Sequence, residues 1–369
     1  MKKVLFLIHD LGQGGAEKVL VNLVNNLDSS LFDITVMSLF AGGVNEQFLK
    51  PEIKYLTVFK KMIPGNSRLM KLFTPKQLHK WFIKDNYDIE VSYLEGPSAR
   101  VISGGSNRKT KLISWIHSNH FSMKEVALPF RSEKEAIICY SKFDRIVCVS
   151  NFMNDNFCSW VPVRDKCNVL YNTVESQKIK LLSTETADEI IDDGCVKLIA
   201  AGSLKEVKGF DRLLRIVCRL KRNSYSVHLY LLGKGPLRNQ LENYVINNHL
   251  NDCITFLGYQ TNPYKYVSKC DLLVCSSHSE GFSTVTIEAL IVGTPVCTVD
   301  VSGMKEMLGE NNEYGIVTEN TEEALYQGIK RLLDNPDLLA HYKKQAEIRG
   351  KMFDTENTVK AVEEMLLSL

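Results

Sequence analysis

Short apolar runs, each closed by turn residues, recur along the whole chain. They predict strands at 4–8, 34–39, 89–93, 112–116 and 145–149, then at 196–201, 227–232, 253–257, 272–275 and 295–299. Helical patterns lie between them. After the first run, Ala16, Val19, Leu20, Leu23, Val24 and Leu27 fall on one face of a 3.6-residue helix. Runs that are apolar throughout, alternating with amphipathic helices, belong to parallel sheets with crossover connections. Two series of about five strands predict an α/β chain of two Rossmann-like, doubly wound domains.

The domains are expected at 1–171 and 196–350. The polar, locally acidic stretch 172–195 (Glu185, Asp188, Glu189, Asp192, Asp193) is read as the connection, and 351–369 as a last helix able to pack back on the first domain. A length of 369 residues suits two domains. The net charge of +2 disfavours a protein built to coat nucleic acid. That neutral sum hides an imbalance. Residues 54–84 hold eight Lys or Arg and no acid, interleaved with Tyr55, Phe59, Phe73, Trp81 and Phe82. Such a composition fits an anionic membrane surface. It fits equally a solvated helix face with ordinary core residues behind it.

Ten cysteines are scattered, with no Cys-x-x-Cys pair, which points to a reducing, cytoplasmic compartment rather than a disulfide scaffold. The N-terminal apolar run spans only residues 4–8, too short for a signal peptide and better read as a buried strand.

Three motifs carry candidate chemistry. At 9–17, the glycines of His-Asp-Leu-Gly-Gln-Gly-Gly-Ala-Glu join the first strand to the first helix. Glycine lets backbone approach an anion at a helix N-terminus, although a plain tight turn explains it as well. Its spacing is not the dinucleotide fingerprint Gly-x-Gly-x-x-Gly. At 201–210, Lys208 follows the first strand of the second domain and is placed to meet a diphosphate as a point charge. A solvent-facing lysine is the plain alternative. At 276–290, Glu280 lies in a loop and Glu288 on the helix after it, with Gly281 between. The turn at Gly281 would bring both carboxylates and the helix start to one pocket. Carboxylates there would accept from sugar hydroxyls.

With these residues in order, the chain resembles the retaining glycosyltransferases of family four, which have the two-domain GT-B fold. The likeness rests on Glu280, Gly281, Phe282, Glu288 and Ala289, continuing into Gly293-Thr294-Pro295-Val296 and the Asp-Val-Ser-Gly of 300–303. Also matched are Gly233-Lys234-Gly235-Pro236-Leu237, Phe256-Leu257-Gly258, Asn172, and the Gly14-Gly15-Ala16 of the first domain.

The resemblance implies two domains facing a central cleft, with roles for particular residues. Lys208 would hold the donor's diphosphate, Glu288 the ribose hydroxyls and Glu280 the donor sugar. Leu257, Gly258 and Tyr259 would meet the base. Gly235, Gly281, Phe282, Ser283 and Thr284 would complete the donor site, and Gly15 would let the first domain's loop close. His117 matches the family's histidine at the cleft. One departure stands out. The family's usual arginine after the glycine is Ser203 here, which removes a bidentate phosphate donor unless Lys205 compensates.

An Asp-x-Asp motif is absent, so no metal or other cofactor is expected. The implied reaction transfers a hexosyl unit from a nucleotide sugar, with UDP the expected carrier, to a glycan or polyprenyl-diphosphate-linked acceptor in surface polysaccharide assembly. Location would be cytoplasmic, peripheral at the inner face of the plasma membrane. A nucleotide-sugar epimerase, or a non-catalytic nucleotide-sugar-binding subunit, would share the architecture.

Overall fold

The computed structural model describes residues 1–12, 14–61, 69–190, 194–280, 282–301 and 303–369. The chain forms two compact units, Met1–Val174 with Thr355–Leu369, and Glu175–Asp354.

The first unit is a seven-stranded parallel sheet in the order β3-β2-β1-β4-β5-β6-β7. The strands are β1 (Lys2–Ile8), β2 (Phe32–Phe40), β3 (Lys54–Phe59), β4 (Ile89–Ser92), β5 (Lys111–Ile116), β6 (Arg145–Cys148) and β7 (Cys167–Val169). Val4 to Ile8 are fully buried, as a central strand covered on both faces requires. The longer helices are α1 (Gly15–Asn26), α2 (Pro75–Phe82), α3 (Glu133–Tyr140) and α4 (Asn151–Trp160). Val19, Leu20, Leu23 and Val24 of α1 are buried, as their spacing predicts.

The second unit has a six-stranded parallel sheet, β10-β9-β8-β11-β12-β13. Its strands are β8 (Val196–Ala201), β9 (Val227–Leu232), β10 (Ile254–Gly258), β11 (Leu272–Cys275), β12 (Val296–Val299) and β13 (Ile316–Thr318). Its longer helices are α5 (Ser176–Ser183), α6 (Phe210–Arg222), α7 (Arg238–Asn247), α8 (Thr284–Ile291), α9 (Glu322–Leu333) and α10 (Pro336–Gly350).

Three strands go beyond the sequence pattern. β7 and β13 have three residues each, too few to show a period. β3 lies inside the basic stretch, whose lysines mask its edge-strand character. The expected connection at 172–195 carries α5, and the second unit already begins at Glu175. Amides and hydroxyls that reach α5 hold it there: Asn262 donates to the Leu182 carbonyl at 2.9 Å, and Ser268 to Ser183 at 2.9 Å. Asp192 and Asp193 of that stretch lie outside the described residues. The last helix, α11 (Thr355–Leu367), packs within the first unit. Lys2 donates to its Leu366 carbonyl at 3.0 Å, and Glu363 accepts from the Asp28 amide at 2.7 Å.

Candidate functional site

In an open parallel sheet, ligands bind beyond the carboxyl ends of the strands, where the strand order reverses. The second unit reverses between β8 and β11, and the two loops that leave these strands are tied together. His278 N–H donates to the Val207 carbonyl at 2.8 Å, and Ser276 Oγ donates to the Lys208 carbonyl at 3.0 Å. Gly209 sits in the left-handed region (φ +59°) so close to the Ser276 carbonyl that a Cβ would collide with it. Only glycine allows that approach.

This lacing places Lys208 against Glu280. Nζ lies 2.6 and 2.7 Å from the two carboxylate oxygens, and the Ser277 hydroxyl also donates to Glu280. The two residues are thus neighbours in space, although 72 positions apart. Gly281 lies outside the described residues. Phe282 is buried, and Ser283 caps α8 by accepting from the Thr286 amide at 3.3 Å, leaving Thr284 as the first helical residue. One turn on, Glu288 is only 7 % exposed, with the Tyr264 hydroxyl donating to it at 3.4 Å. A buried carboxylate is costly unless it is paired or hydrogen-bonded, and the Tyr264 hydroxyl supplies one such bond here.

The neighbouring strand ends complete the rim. Gly258 closes β10 and its carbonyl accepts from the Gly233 amide at 2.7 Å. Leu257 is half-buried, its carbonyl accepting from Gln260 at 2.7 Å, whereas Tyr259 is exposed beneath the Lys234 ammonium, 4.9 Å from its ring centre. Gly235 packs directly on the Leu204 backbone, where any side chain would clash. Its glycine therefore has a packing reason independent of a donor. Ser203, at the family's arginine position, is exposed, and its carbonyl accepts from the Lys205 amide at 2.8 Å.

Arg212, absent from the sequence reading, braces this loop pair. Its guanidinium donates to the carbonyls of Ser276 and Ser277, both at 2.7 Å, and to Asn320 at 2.9 Å. It is nearly fully buried, and that burial holds its pKa below the usual range. The signal was an arginine on the apolar face of α6, beside Leu213, Leu214 and Val217.

His117 and Gly15 belong to the first unit. His117 follows β5, donates its amide to Glu95 at 2.9 Å, and tilts on Tyr93 with ring centres 4.9 Å apart. Its Nε2 is buried and makes no hydrogen bond among the described residues. Burial pushes its pKa down to about 3, so the imidazole is neutral at pH 7. Gly15 opens α1, and a Cβ there would meet nothing within 4 Å among the described residues.

The basic stretch 54–84 divides. In β3, the Tyr55 hydroxyl donates to Glu46 at 2.7 Å, and Phe59 packs on Phe40 and Phe82 with ring centres 5.5 and 5.4 Å away. That half is core. Beyond residues 62–68, which lie outside the described residues, Met70, Leu78 and Ile83 are buried while other apolar side chains of the second half face out. Leu72 is 70 % and Trp81 44 % exposed, among Lys71, Lys76, Lys80 and Lys84. The turn that carries them is held from within. Arg100 donates to the Met70 and Phe73 carbonyls at 2.8 and 2.7 Å, and Arg131 to Lys71 and Leu72 at 2.6 and 3.0 Å. Among the described residues, no helix is long and apolar enough to cross a membrane, and no cluster of His, Cys, Asp or Glu is placed to hold a metal ion.

Comparison with known proteins agrees with this architecture. The family model described as "Glycosyltransferase Family 4" matches residues 13–178, and "Glycosyl transferases group 1" matches 184–349. A Campylobacter jejuni N-acetylgalactosamine-N,N'-diacetylbacillosaminyl-diphospho-undecaprenol 4-alpha-N-acetylgalactosaminyltransferase is 28% identical over 364 residues, 96% of each chain. An uncharacterized Haemophilus influenzae glycosyltransferase is 23% identical, covering 97% of this chain and 98% of its own. Anabaena Alr3699/HepE, solved with UDP, shares the fold along 100% of both chains, with a TM-score of 0.79 at 19% identity. Thermosynechococcus elongatus sucrose-phosphate synthase does so with a TM-score of 0.79 at 18% identity, covering 100% of this chain and 99% of its own. Two doubly wound units, the motif residues at the second unit's switch point and family models that match both halves lead to one conclusion: the chain belongs to glycosyltransferase family four.

Proposed function

We propose that the protein is a retaining hexosyltransferase that uses a nucleotide sugar, UDP-linked, and a lipid-diphosphate-linked glycan as acceptor in surface polysaccharide assembly. The observation that carries this reading is the Lys208–Glu280 pair at the second unit's switch point. An ammonium there meets a diphosphate, and a carboxylate beside it accepts from sugar hydroxyls. The name of the Campylobacter jejuni relative, with its diphospho-undecaprenol acceptor, supports the acceptor class.

In this mechanism Lys208 and the N-terminus of α8 stabilise the charge growing on the departing diphosphate, by preorganised electrostatics and without a metal ion. Glu280 orients the donor sugar and Glu288 the ribose, while the backbone at Leu257, Gly258 and Tyr259 receives the base. Gly235, Phe282, Ser283 and Thr284 shape the same site, and Gly15 leaves room for the ligand. His117 acts as a neutral hydrogen-bonding group. Its orphaned Nε2 suits a partner that arrives with substrate. The acceptor oxygen bonds to the anomeric carbon on the face from which the phosphate leaves. The C–O bond to the diphosphate breaks, and the acceptor's proton passes to the phosphate oxygen. Leu72, Trp81 and the lysines around them would rest on the anionic inner face of the membrane.

A thermal-shift panel of nucleotide sugars identifies the donor, because a ligand that binds only the folded state raises its Tm. Transfer is then followed by NMR, with and without chelator. Retention of the anomeric configuration and indifference to chelator are expected. An inverted product overturns retention. Turnover without acceptor would favour an epimerase, and binding without turnover a non-catalytic subunit.

A further inference from the structure

The ten cysteines are free thiols, and three of them gather at the edge of the first sheet. Cys158 lies on α4 and Cys167 opens β7, with their sulfur atoms 3.4 Å apart. Asn154 Oδ1 lies 3.3 Å from the Cys158 sulfur and the Val163 carbonyl 3.3 Å from that of Cys167, as alternative acceptors for the two thiol protons. Cys148, at the end of β6, is fully buried, whereas Cys158 and Cys167 are both partly open to solvent. A disulfide needs about 2.05 Å between sulfurs, so closing this pair takes roughly 1.3 Å, within the reach of side-chain rotation.

We propose that Cys158 and Cys167 form a redox-active thiol pair, oxidised by hydroperoxides to a disulfide that restrains the loop bearing His117. Cys167 is the attacking thiol. A hydrogen bond from Cys148, then one from Cys158 and the Arg164 charge, holds it below the usual thiol range against the opposing effect of burial. Cys158 is pushed the other way, by burial first. The Cys167 thiolate attacks hydrogen peroxide, the O–O bond breaks, and hydroxide leaves, taking up the thiol's proton as water. Cys158 then loses its proton and attacks the sulfenic sulfur. The S–O bond breaks, and the released hydroxide takes that proton as a second water. Two thiols are oxidised and one peroxide is reduced. A dithiol reverses the process by exchange.

Cys158 sits between the two residues of α4 that hold this loop. Asn156 donates to the His120 carbonyl at 3.0 Å and accepts from the His120 amide at 3.0 Å, and Trp160 donates to the same carbonyl at 2.9 Å. A pull on Cys158 is therefore a pull on residues 117–120. The thiol chemistry stands apart from the proposed transfer reaction, and the test reads it without activity.

Reduced full-length protein is titrated with hydrogen peroxide, alkylated, digested and mass-mapped, with hydrogen exchange followed in parallel. The expected result is loss of two of the ten thiols, a linked Cys158–Cys167 peptide, and recovery with dithiothreitol. Altered exchange at the His120 amide should accompany the link. Cys158→Ser and Cys167→Ser should each abolish the link. Cys148→Ser should retain it, with Cys148→Ala as the alternative if serine unfolds that buried position. A link through Cys148, links only between molecules, or a link without change at His120 would overturn the proposal.

Discussion

Removing the Lys208 ammonium separates what it does for the fold from what it does for the donor. In Lys208→Met, Glu280 keeps the Ser277 hydroxyl but loses a cation 2.6 Å away, at a carboxylate only 10 % exposed. An incompletely satisfied buried charge costs roughly 1–3 kcal/mol. For a domain of this size each kcal/mol lowers Tm by about 2–4 °C. A phosphate charge about 4 Å from Nζ, at an effective dielectric near 20, would gain about 4 kcal/mol. Glu280 already neutralises part of that field, so a net loss of roughly 2 kcal/mol is expected, about 30-fold in Kd for the nucleoside diphosphate. Calorimetric titration with UDP and scanning calorimetry give the two quantities. Adding Glu280→Gln should restore most of the lost Tm, because the stranded charge is gone, while UDP affinity stays low. A Lys208→Met variant that binds UDP as tightly as the parent refutes the assignment.

Gly15→Ala should leave Tm unchanged or slightly raised, since its Cβ meets no atom of the described residues and alanine favours a helix. Its donor KM should rise nonetheless, and an unchanged KM removes Gly15 from the ligand path. Glu288→Gln should raise donor KM about tenfold or more, the weight of a lost charged hydrogen bond, and normal steady-state kinetics would count against the ribose role. His117 gives a pH signature. Its folded pKa of about 3 lies below the ordinary value of 6.5, so the unfolded chain binds the extra proton between them. Stability is therefore full above pH 6.5 and falls as pH drops toward 3, with a shallower fall in His117→Gln. Equal slopes in denaturant melts of the two proteins would contradict that account. Neutralising Lys71, Lys76, Lys80 and Lys84 together should weaken binding to anionic liposomes, and unchanged partitioning would remove the membrane contact.

The buried parallel strands were legible because they are apolar throughout, and α1 because six residues keep one helical face. β3 was not. Lys54 begins it, and an edge strand needs only half-burial, so its composition resembled that of the exposed Leu72–Trp81 region further on. Periodicity could not separate the two; the sheet did, by turning Tyr55 and Phe59 inward. At the candidate site the motif supplied the acids and the lysine, but their pairing across two loops is a property of the strand order. Arg212 escaped notice because a buried arginine shows its use only once the carbonyls it serves are in place. The thiol cluster was hidden similarly, since Cys158 and Cys167 meet through an α4–β7 turn that carries no spacing signal.

The return of α11 to the first unit has a consequence during synthesis. β1 and α1 emerge early, yet Val359, Val362 and Leu366, which are part of the first unit's core, follow the entire second unit. At ordinary translation rates that interval lasts on the order of ten to forty seconds. The second unit, continuous in sequence, can finish folding on the ribosome. The first must wait with an open flank, so chaperones that guard nascent chains should dwell on the N-terminal half.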